Sequence, residues 1–373
     1  IGVSALVFDE GKTVYSGTFG LRDRERNLPV EMDTVFRIYS MTKPVTSAII
    51  MDLQEDGLLS LDDPASKYIP ELAQMQVISM GEDGKPVFTA QAAPMTVKDL
   101  MLHRAGIAYG IFGDVNPVET MYGKAGLFDP TEDLSVKMTK LSRLPLLAQP
   151  GEGWYYSYSI DVLGRIAEVV TGQRLGEIMD ARIFDPLGMD ETGFHVRPDQ
   201  KSRFSSNYAL TGEGDFVLQD DGQKSPFLIA APFQSGGGGL VSTLGDYAKF
   251  AQMLLDGGVY KGHRVLDEAT VKMMMTNQLD EDDKFMMPWF GKPGDAGFGY
   301  GGRVVIGGTP ESIAASGDGP GQFGWSGMAR TTFWIDKPND AFGILMLQYF
   351  TESDPQLHSD FKVLAYSQTK DAE

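Results

Sequence analysis

Strand-like patterns occupy the two ends of this chain, and helical patterns fill the space between them. The segment Gly2 to Phe8 is apolar and strand-like. A turn, Asp9-Glu10-Gly11-Lys12, separates it from a second strand, Thr13 to Phe19, as in a hairpin. Near the other end, Thr331 to Ile335 and Phe342 to Leu347 are short, apolar and rich in β-formers. A sheet assembled from both ends brings the termini together and leaves the middle as an insertion. The expected class is therefore α+β: an α/β sandwich with an antiparallel sheet flanked by helices. Residues 1–62 plus 232–373 form the expected sheet domain, and residues 63–231 a mainly helical inserted domain.

The helices between are marked by local signals. Thr42 to Glu55 carries an apolar stripe of Val45, Ala48, Ile49 and Leu53, and Gly57 is placed to end it. Thr96 is an N-cap candidate with Asp99 three residues on. Ser159 to Thr171 is amphipathic and stops at Gly172. Asp360 to Gln368 reads as a terminal helix. Gly236 to Gly239 is a glycine cluster, and Asp280 to Asp283 reads as a solvated acidic loop.

Composition removes whole classes of chemistry. The chain has 373 residues and no cysteine, so thiol nucleophiles, thiolate metal sites and disulfides are out. Its 51 acidic against 32 basic side chains give a net charge of −19. That balance opposes nucleic-acid binding, which needs a basic face, and binding to anionic membranes. Apolar runs fall far short of the ~20 residues that span a bilayer. No charged region precedes the strand that begins the sequence at Ile1. No leader is visible at this start, which decides nothing about the compartment; the cytoplasm is favoured, with periplasmic or secreted placement open.

The four histidines, His103, His195, His263 and His358, are widely spaced and form no H-E-x-x-H, which opposes a zinc hydrolase. No G-x-S-x-G elbow and no phosphate loop occur. Gly297-Phe-Gly-Tyr-Gly-Gly302 matches G-x-G-x-x-G, but it follows no βαβ unit and reads as a glycine-rich strand lead-in. What remains is S-x-x-K. Three copies exist: Ser40/Lys43, Ser359/Lys362 and Ser367/Lys370. On a helix, positions i and i+3 share a face, so each lysine sits beside its serine. A partly desolvated lysine titrates low enough to accept the serine proton. The later two fall in a polar helix. Ser40 stands where an apolar strand-like segment meets an amphipathic helix. On pattern alone it is equally a nucleophile or an ordinary helix-start serine.

The residues around Ser40 add a resemblance. Phe36-Arg-Ile-Tyr-Ser40-Met-Thr-Lys43 resembles the nucleophile segment of the serine β-lactamase and penicillin-binding-protein superfamily. Within it, the sequence is similar to class C β-lactamases and the family VIII carboxylesterases. Thr96 to Ile107 resembles the family's T-x-x-x-L-L-x-H-x-x-G-L stretch. Pro150 to Ser159 resembles the segment carrying Tyr-x-Asn. Gly236 to Thr243 and Asp246 to Phe250 resemble the glycine-rich loop and the helix after it. Trp325-Ser326-Gly327 falls where Lys-Thr-Gly would lie. Two departures stand out: Tyr158 replaces the asparagine, and Trp325 replaces the lysine. The family VIII esterases share the tryptophan, which offers an apolar face and one N–H donor.

The resemblance implies a β-lactamase/transpeptidase-like fold with its active site where the two domains meet. It implies Ser40 as nucleophile, with Lys43 and Tyr156 as the proton-transfer pair. The oxyanion hole would be the backbone N–H groups of Ser40 and Met328. Trp325, Ser326, Gly327, Tyr109 and Tyr158 would bind substrate. His103 is expected to be structural, and Arg330 stands open between a substrate carboxylate and the surface. No metal or cofactor is required. The expected activity is hydrolysis of short-chain acyl esters, small-molecule substrates suited to a negatively charged chain with Trp325 in place of a lysine. Rival activities on the same fold are a class C-type β-lactamase, a D-amino-acid peptidase and an acyltransferase. A rival outside enzymes is an inactive penicillin-binding relative.

Overall fold

The computed structural model describes residues 1–280, 283, 285, 287, 295–351 and 356–370. Both chain ends do enter one sheet. From the start come β1 (Val3–Asp9) and β2 (Lys12–Phe19). From the late part come β3 (Ala296–Phe298), β4 (Arg303–Val305), β5 (Gln322–Ser326), β6 (Thr332–Asp336) and β7 (Ala341–Met346). The seven-stranded order is β3-β4-β5-β6-β7-β1-β2. Every pairing in it is antiparallel. Lys12 already pairs with Asp9, so the first hairpin turns on Glu10 and Gly11 alone. Both have positive φ, 44° and 79°, the twist that two-residue hairpins require. The glycine-rich segment from Gly297 lies in the β3–β4 hairpin, as a strand lead-in should.

Four longer helices complete the framework, α1 (Thr42–Glu55), α2 (Ser159–Thr171), α3 (Leu244–Leu255) and α4 (Leu357–Lys370): α3 and α4 lie against the sheet, and α1 packs on α2. Successive side chains of β1 serve opposite faces. Leu6 joins the main core with α1 and α3, whereas Val7 packs with Trp334 and Ala365 under α4. The edge-to-face pair of Tyr247 on α3 with Phe333 on β6, centroids 5.1 Å apart, ties helix to sheet.

The helix signals were accurate at α1 and α2. Helix α2 ends where Gly172 takes φ 71°. At Thr96 the capping box closes as expected, with Asp99 N–H donating to Thr96 Oγ1 over 3.0 Å. The stripe expected on α1 is wider than its sequence suggests. The helix is buried on nearly every side, including Thr42, Lys43, Thr46 and Ser47. It is the central helix, and fully buried side chains such as Ile49 and Ile50 each stabilise by roughly 1.5–3 kcal/mol relative to exposure.

The middle of the chain is less purely helical than expected. It contains the hairpins Gln76–Met80/Pro86–Ala90 and Asn207–Leu210/Phe216–Asp220. The latter pairs in parallel with Tyr349–Phe350, and Tyr208 packs with Ala5, Leu345, Leu347 and Tyr349. Residues 207–220 therefore pack on the sheet side, although they fall within the segment expected as the helical insertion. The physical reason is a long-range pairing that no local signal encodes. The acidic stretch from Asp280 includes Glu281 and Asp282, which lie outside the described residues. Among the described residues no helix is long and apolar enough to cross a membrane.

Candidate active site

The site begins with a sharp change of direction. The short strand Val35–Arg37 pairs with Val241–Thr243 and is anchored by a fully buried guanidinium. Arg37 meets Asp220 at 2.6 Å, donates to Ser205 O at 2.6 Å, and stacks 4.0 Å over the Phe204 ring. Two residues later Tyr39 has φ 42°, a left-handed conformation that costs a non-glycine residue roughly 1–3 kcal/mol. One 3₁₀ turn, Tyr39–Met41, then leads into α1. This strained strand–turn–helix corner leaves Ser40 half-exposed while Lys43 beside it is fully buried.

Strand β5 approaches the same corner. Gly327 donates its N–H to Thr331 O over 2.7 Å. A Cβ at Gly327 would stand 2.4 Å from Ile38 O and 2.2 Å from Thr331 Oγ1. Only glycine lets the strand end lie this close to the Ser40 segment.

Four other chain segments converge around Ser40 and Lys43. Lys43 Nζ donates to Ser40 Oγ at 3.1 Å, to Tyr109 Oη at 2.9 Å and to Gly237 O at 2.7 Å. Tyr156 Oη donates to Ser40 Oγ at 2.8 Å. Trp325 Nε1 in turn donates to Tyr156 Oη at 3.3 Å. The tryptophan at the third-motif position thus supplies a neutral donor to the phenol where a lysine would supply a charge. The rings of Trp154, Tyr109, Phe112 and Trp325 surround Tyr156, with centroids 5.2–6.4 Å away. Ile111 on the Tyr109 segment and Phe128, whose ring lies 6.0 Å from Tyr109, remain exposed.

The electrostatics reverse one expectation. Burial disfavours the Lys43 charge, but the oxygens of Tyr109 and Tyr156 outweigh it and hold the ammonium above the ordinary lysine range. That direction favours an ammonium that donates to Ser40 over the low-titrating acceptor expected from desolvation alone. Burial pushes the Tyr109 phenol up, so it stays protonated. Burial, aided by Lys43, pulls His103 well below its usual range and keeps the ring neutral. His103 Nδ1 accepts from Ser157 N–H at 3.2 Å, and its ring packs against Trp154, Tyr156 and Phe298.

Other expected residues fall in different places. Tyr158, expected to bind substrate, is fully buried and donates its hydroxyl to Leu127 O at 2.9 Å. A phenol is too long to lie where an asparagine would, so the ring turns into the core beside Phe128. Ser326 is half-buried and directs its hydroxyl along the sheet to Thr332 Oγ1 at 2.8 Å. Met328 is exposed at the turn after β5, and its backbone N–H has no hydrogen-bond partner among the described residues. Arg330 turns toward Thr351 O at 3.3 Å. Tyr109 is more than a pocket border, because it is a direct partner of Lys43. Glu119, unmarked by any motif, shapes the segment around it, accepting from the Tyr109 and Gly110 N–H groups at 3.0 and 2.6 Å. No group of three potential metal ligands occurs among the described residues.

Against this geometry the comparisons with known proteins are decisive on family. The Beta-lactamase family profile matches residues 1–366. The chain belongs to the Beta-lactamase family. This Beta-lactamase family member is 34% identical over 363 residues to Protein Rv1367c of Mycobacterium tuberculosis, across 96% of this chain and 87% of that one. It is 30% identical over 380 residues to the lovastatin esterase of Penicillium rubens, across 95% and 90%. Among solved structures, EstCE1, described as a hydrolase with promiscuous acyltransferase activity, superposes with a TM-score of 0.81 at 25% identity. That superposition covers 98% of this chain and 93% of EstCE1. The α+β architecture and the resemblance found in the sequence both stand.

Proposed function

We propose that this serine hydrolase of the Beta-lactamase family is a carboxylesterase acting on short-chain, uncharged acyl esters through an acyl-enzyme on Ser40. One observation carries the reading: Ser40 Oγ is held at once by Lys43 Nζ at 3.1 Å and Tyr156 Oη at 2.8 Å, and the phenol is backed by Trp325. With Lys43 as an ammonium, the base is Tyr156 after its own proton has left to solvent: the phenolate Oη, beside that ammonium and Trp325 Nε1–H, takes the Ser40 proton. Ser40 Oγ bonds to the ester carbonyl carbon as that proton crosses. The ammonium offsets the negative charge in transit, and the Ser40 and Met328 N–H groups receive the oxyanion. The alcohol leaves as the ester C–O bond breaks and takes its proton from Tyr156. Water then repeats the sequence and frees Ser40.

The aromatic surround and the absence of a lysine at position 325 favour a neutral acyl group over an anionic antibiotic. The relative named as an esterase supports the same direction. Ser40→Ala tests it: a purified variant should lose roughly 10⁴-fold or more in hydrolysis of a p-nitrophenyl short-chain ester. Retained turnover would end the mechanism. A cephalosporin hydrolysed faster than the ester would move the assignment to a β-lactamase. Acyl transfer to added alcohol outrunning hydrolysis would move it to an acyltransferase.

A further inference from the structure

Among the described residues three cationic side chains are fully buried: Arg37, Lys43 and Lys137. Two have carboxylates in contact, Asp220 on Arg37 at 2.6 Å and Glu132 on Lys137 at 2.9 Å. Lys43 has none. Its three partners, Ser40 Oγ, Tyr109 Oη and Gly237 O, are all neutral oxygens. A buried charge normally needs an opposite one nearby, because the interior solvates it poorly.

A candidate lies behind Gly237. Asp161, in the first turn of α2, is almost fully buried. Its Oδ1 accepts from Ser235 Oγ at 2.6 Å and from Gly237 N–H at 3.3 Å. Its Oδ2 has no hydrogen-bond partner among the described residues. That oxygen would stand 2.4 Å from a Cβ at Gly237, so carboxylate and glycine backbone are in direct contact. The same glycine receives Asp161 on its N–H and Lys43 on its carbonyl.

We propose that Asp161 is the counter-charge of Lys43 and, through Gly237, its positioning residue. This rests on the reading of Lys43 as a protonated donor in the hydrolase mechanism. No proton moves to Asp161 in the cycle. It fixes the carbonyl that anchors the ammonium and supplies the negative charge that the neutral oxygens lack. The titratable groups facing the pair from other segments are His103, Tyr109, Tyr156 and Tyr158. None is a carboxylate, and His103 is held neutral. Burial pushes the Asp161 carboxyl up, while the Ser235 hydrogen bond and the Lys43 charge oppose it.

Asp161→Asn keeps the size and removes the charge. Its kcat on the p-nitrophenyl ester should fall roughly 10- to 100-fold with KM little changed, as for other displaced catalytic groups. Without the counter-charge Lys43 loses its proton more easily, so the alkaline limb of the kcat profile should move to lower pH by about one unit. Ser235→Ala, which keeps the carboxylate, should leave that limb in place. A limb in the wild-type position for Asp161→Asn overturns the proposal, whatever the rate. If Asp161→Asn does not fold, stability decides. The double variant Lys43→Met/Asp161→Asn removes both charges and should fold, whereas failure of the double variant when Lys43→Met alone folds overturns it. Full activity in Lys43→Met would instead sink the hydrolase mechanism, a separate failure.

Discussion

Two serine–lysine pairs with identical spacing meet opposite fates in this molecule. Ser40 and Lys43 open α1, and Lys43 Nζ reaches back to Ser40 Oγ. Ser359 and Lys362 lie on α4, and Lys362 Nζ turns instead to Asp318 Oδ1 at 2.5 Å and Gln322 Oε1 at 3.4 Å. Asp318 is shared with Arg303 at 2.8 Å, so the second lysine is part of an ion network between helix and sheet. Their titration differs accordingly. Lys43 is held above the ordinary lysine range, whereas burial, aided by Arg303, pulls Lys362 below it despite Asp318. The spacing guarantees only that serine and lysine share a face. The element packed against that face decides what the lysine does. Carboxylate contact makes a structural strut. Hydroxyls and a carbonyl leave an ammonium free to act on a neighbouring oxygen. The third copy runs from Ser367 to Lys370, whose side chain lies outside the described residues.

The sharpest way to break this contrast is to remove each lysine's charge. Lys43→Met should lower kcat/KM on a short-chain ester by roughly 10⁴-fold, as loss of a catalytic partner does elsewhere. Lys362→Met should leave kcat/KM within about twofold and show its effect in the melting temperature. Equal losses of activity in both variants would erase the distinction. Gly327→Ala comes next. Its Cβ would collide with Ile38 O, pushing β5 away from the nucleophile corner. A displacement of this kind should reduce kcat by roughly 100-fold. Turnover close to wild type would mean that the corner tolerates movement.

The smallest effect belongs to the α4 network. Burial would raise the Asp318 carboxyl, but Lys362 and Arg303 hold it at about 2 against an ordinary 3.8. A depressed carboxyl stabilises the fold above its ordinary value, and the gain is lost as pH falls from near 3.8 toward 2. Asp318→Asn should cost roughly 2 kcal/mol at neutral pH, discounted from fully buried pairs because the side chain is 20% exposed. Its stability should then depend less on pH across the acid range. Denaturant melts at pH 7 and pH 3 read both quantities. An unchanged acid slope would remove Asp318 from the account.

Much of the framework was legible in the sequence. The α1 and α2 boundaries, the Thr96 cap, the hairpin at the start and the return of strands at the end are local patterns, each set by neighbours within a few residues. The same local logic singled out Ser40 and Lys43 as face-sharing. Tertiary structure decided what those residues became. Lys43 and Gly237 O are 194 residues apart in sequence, and Tyr156 and Ser40 are 116 apart. No periodicity encodes such contacts. The sequence therefore singled out Ser40 and Lys43, but not the surroundings of Lys43, which depend on oxygens brought by distant segments. It placed Tyr158 in the pocket, where packing turned the ring inward. It left Asp161 unremarked, an acid in the first turn of an apolar helix, whose meaning appears only when Gly237 folds against it.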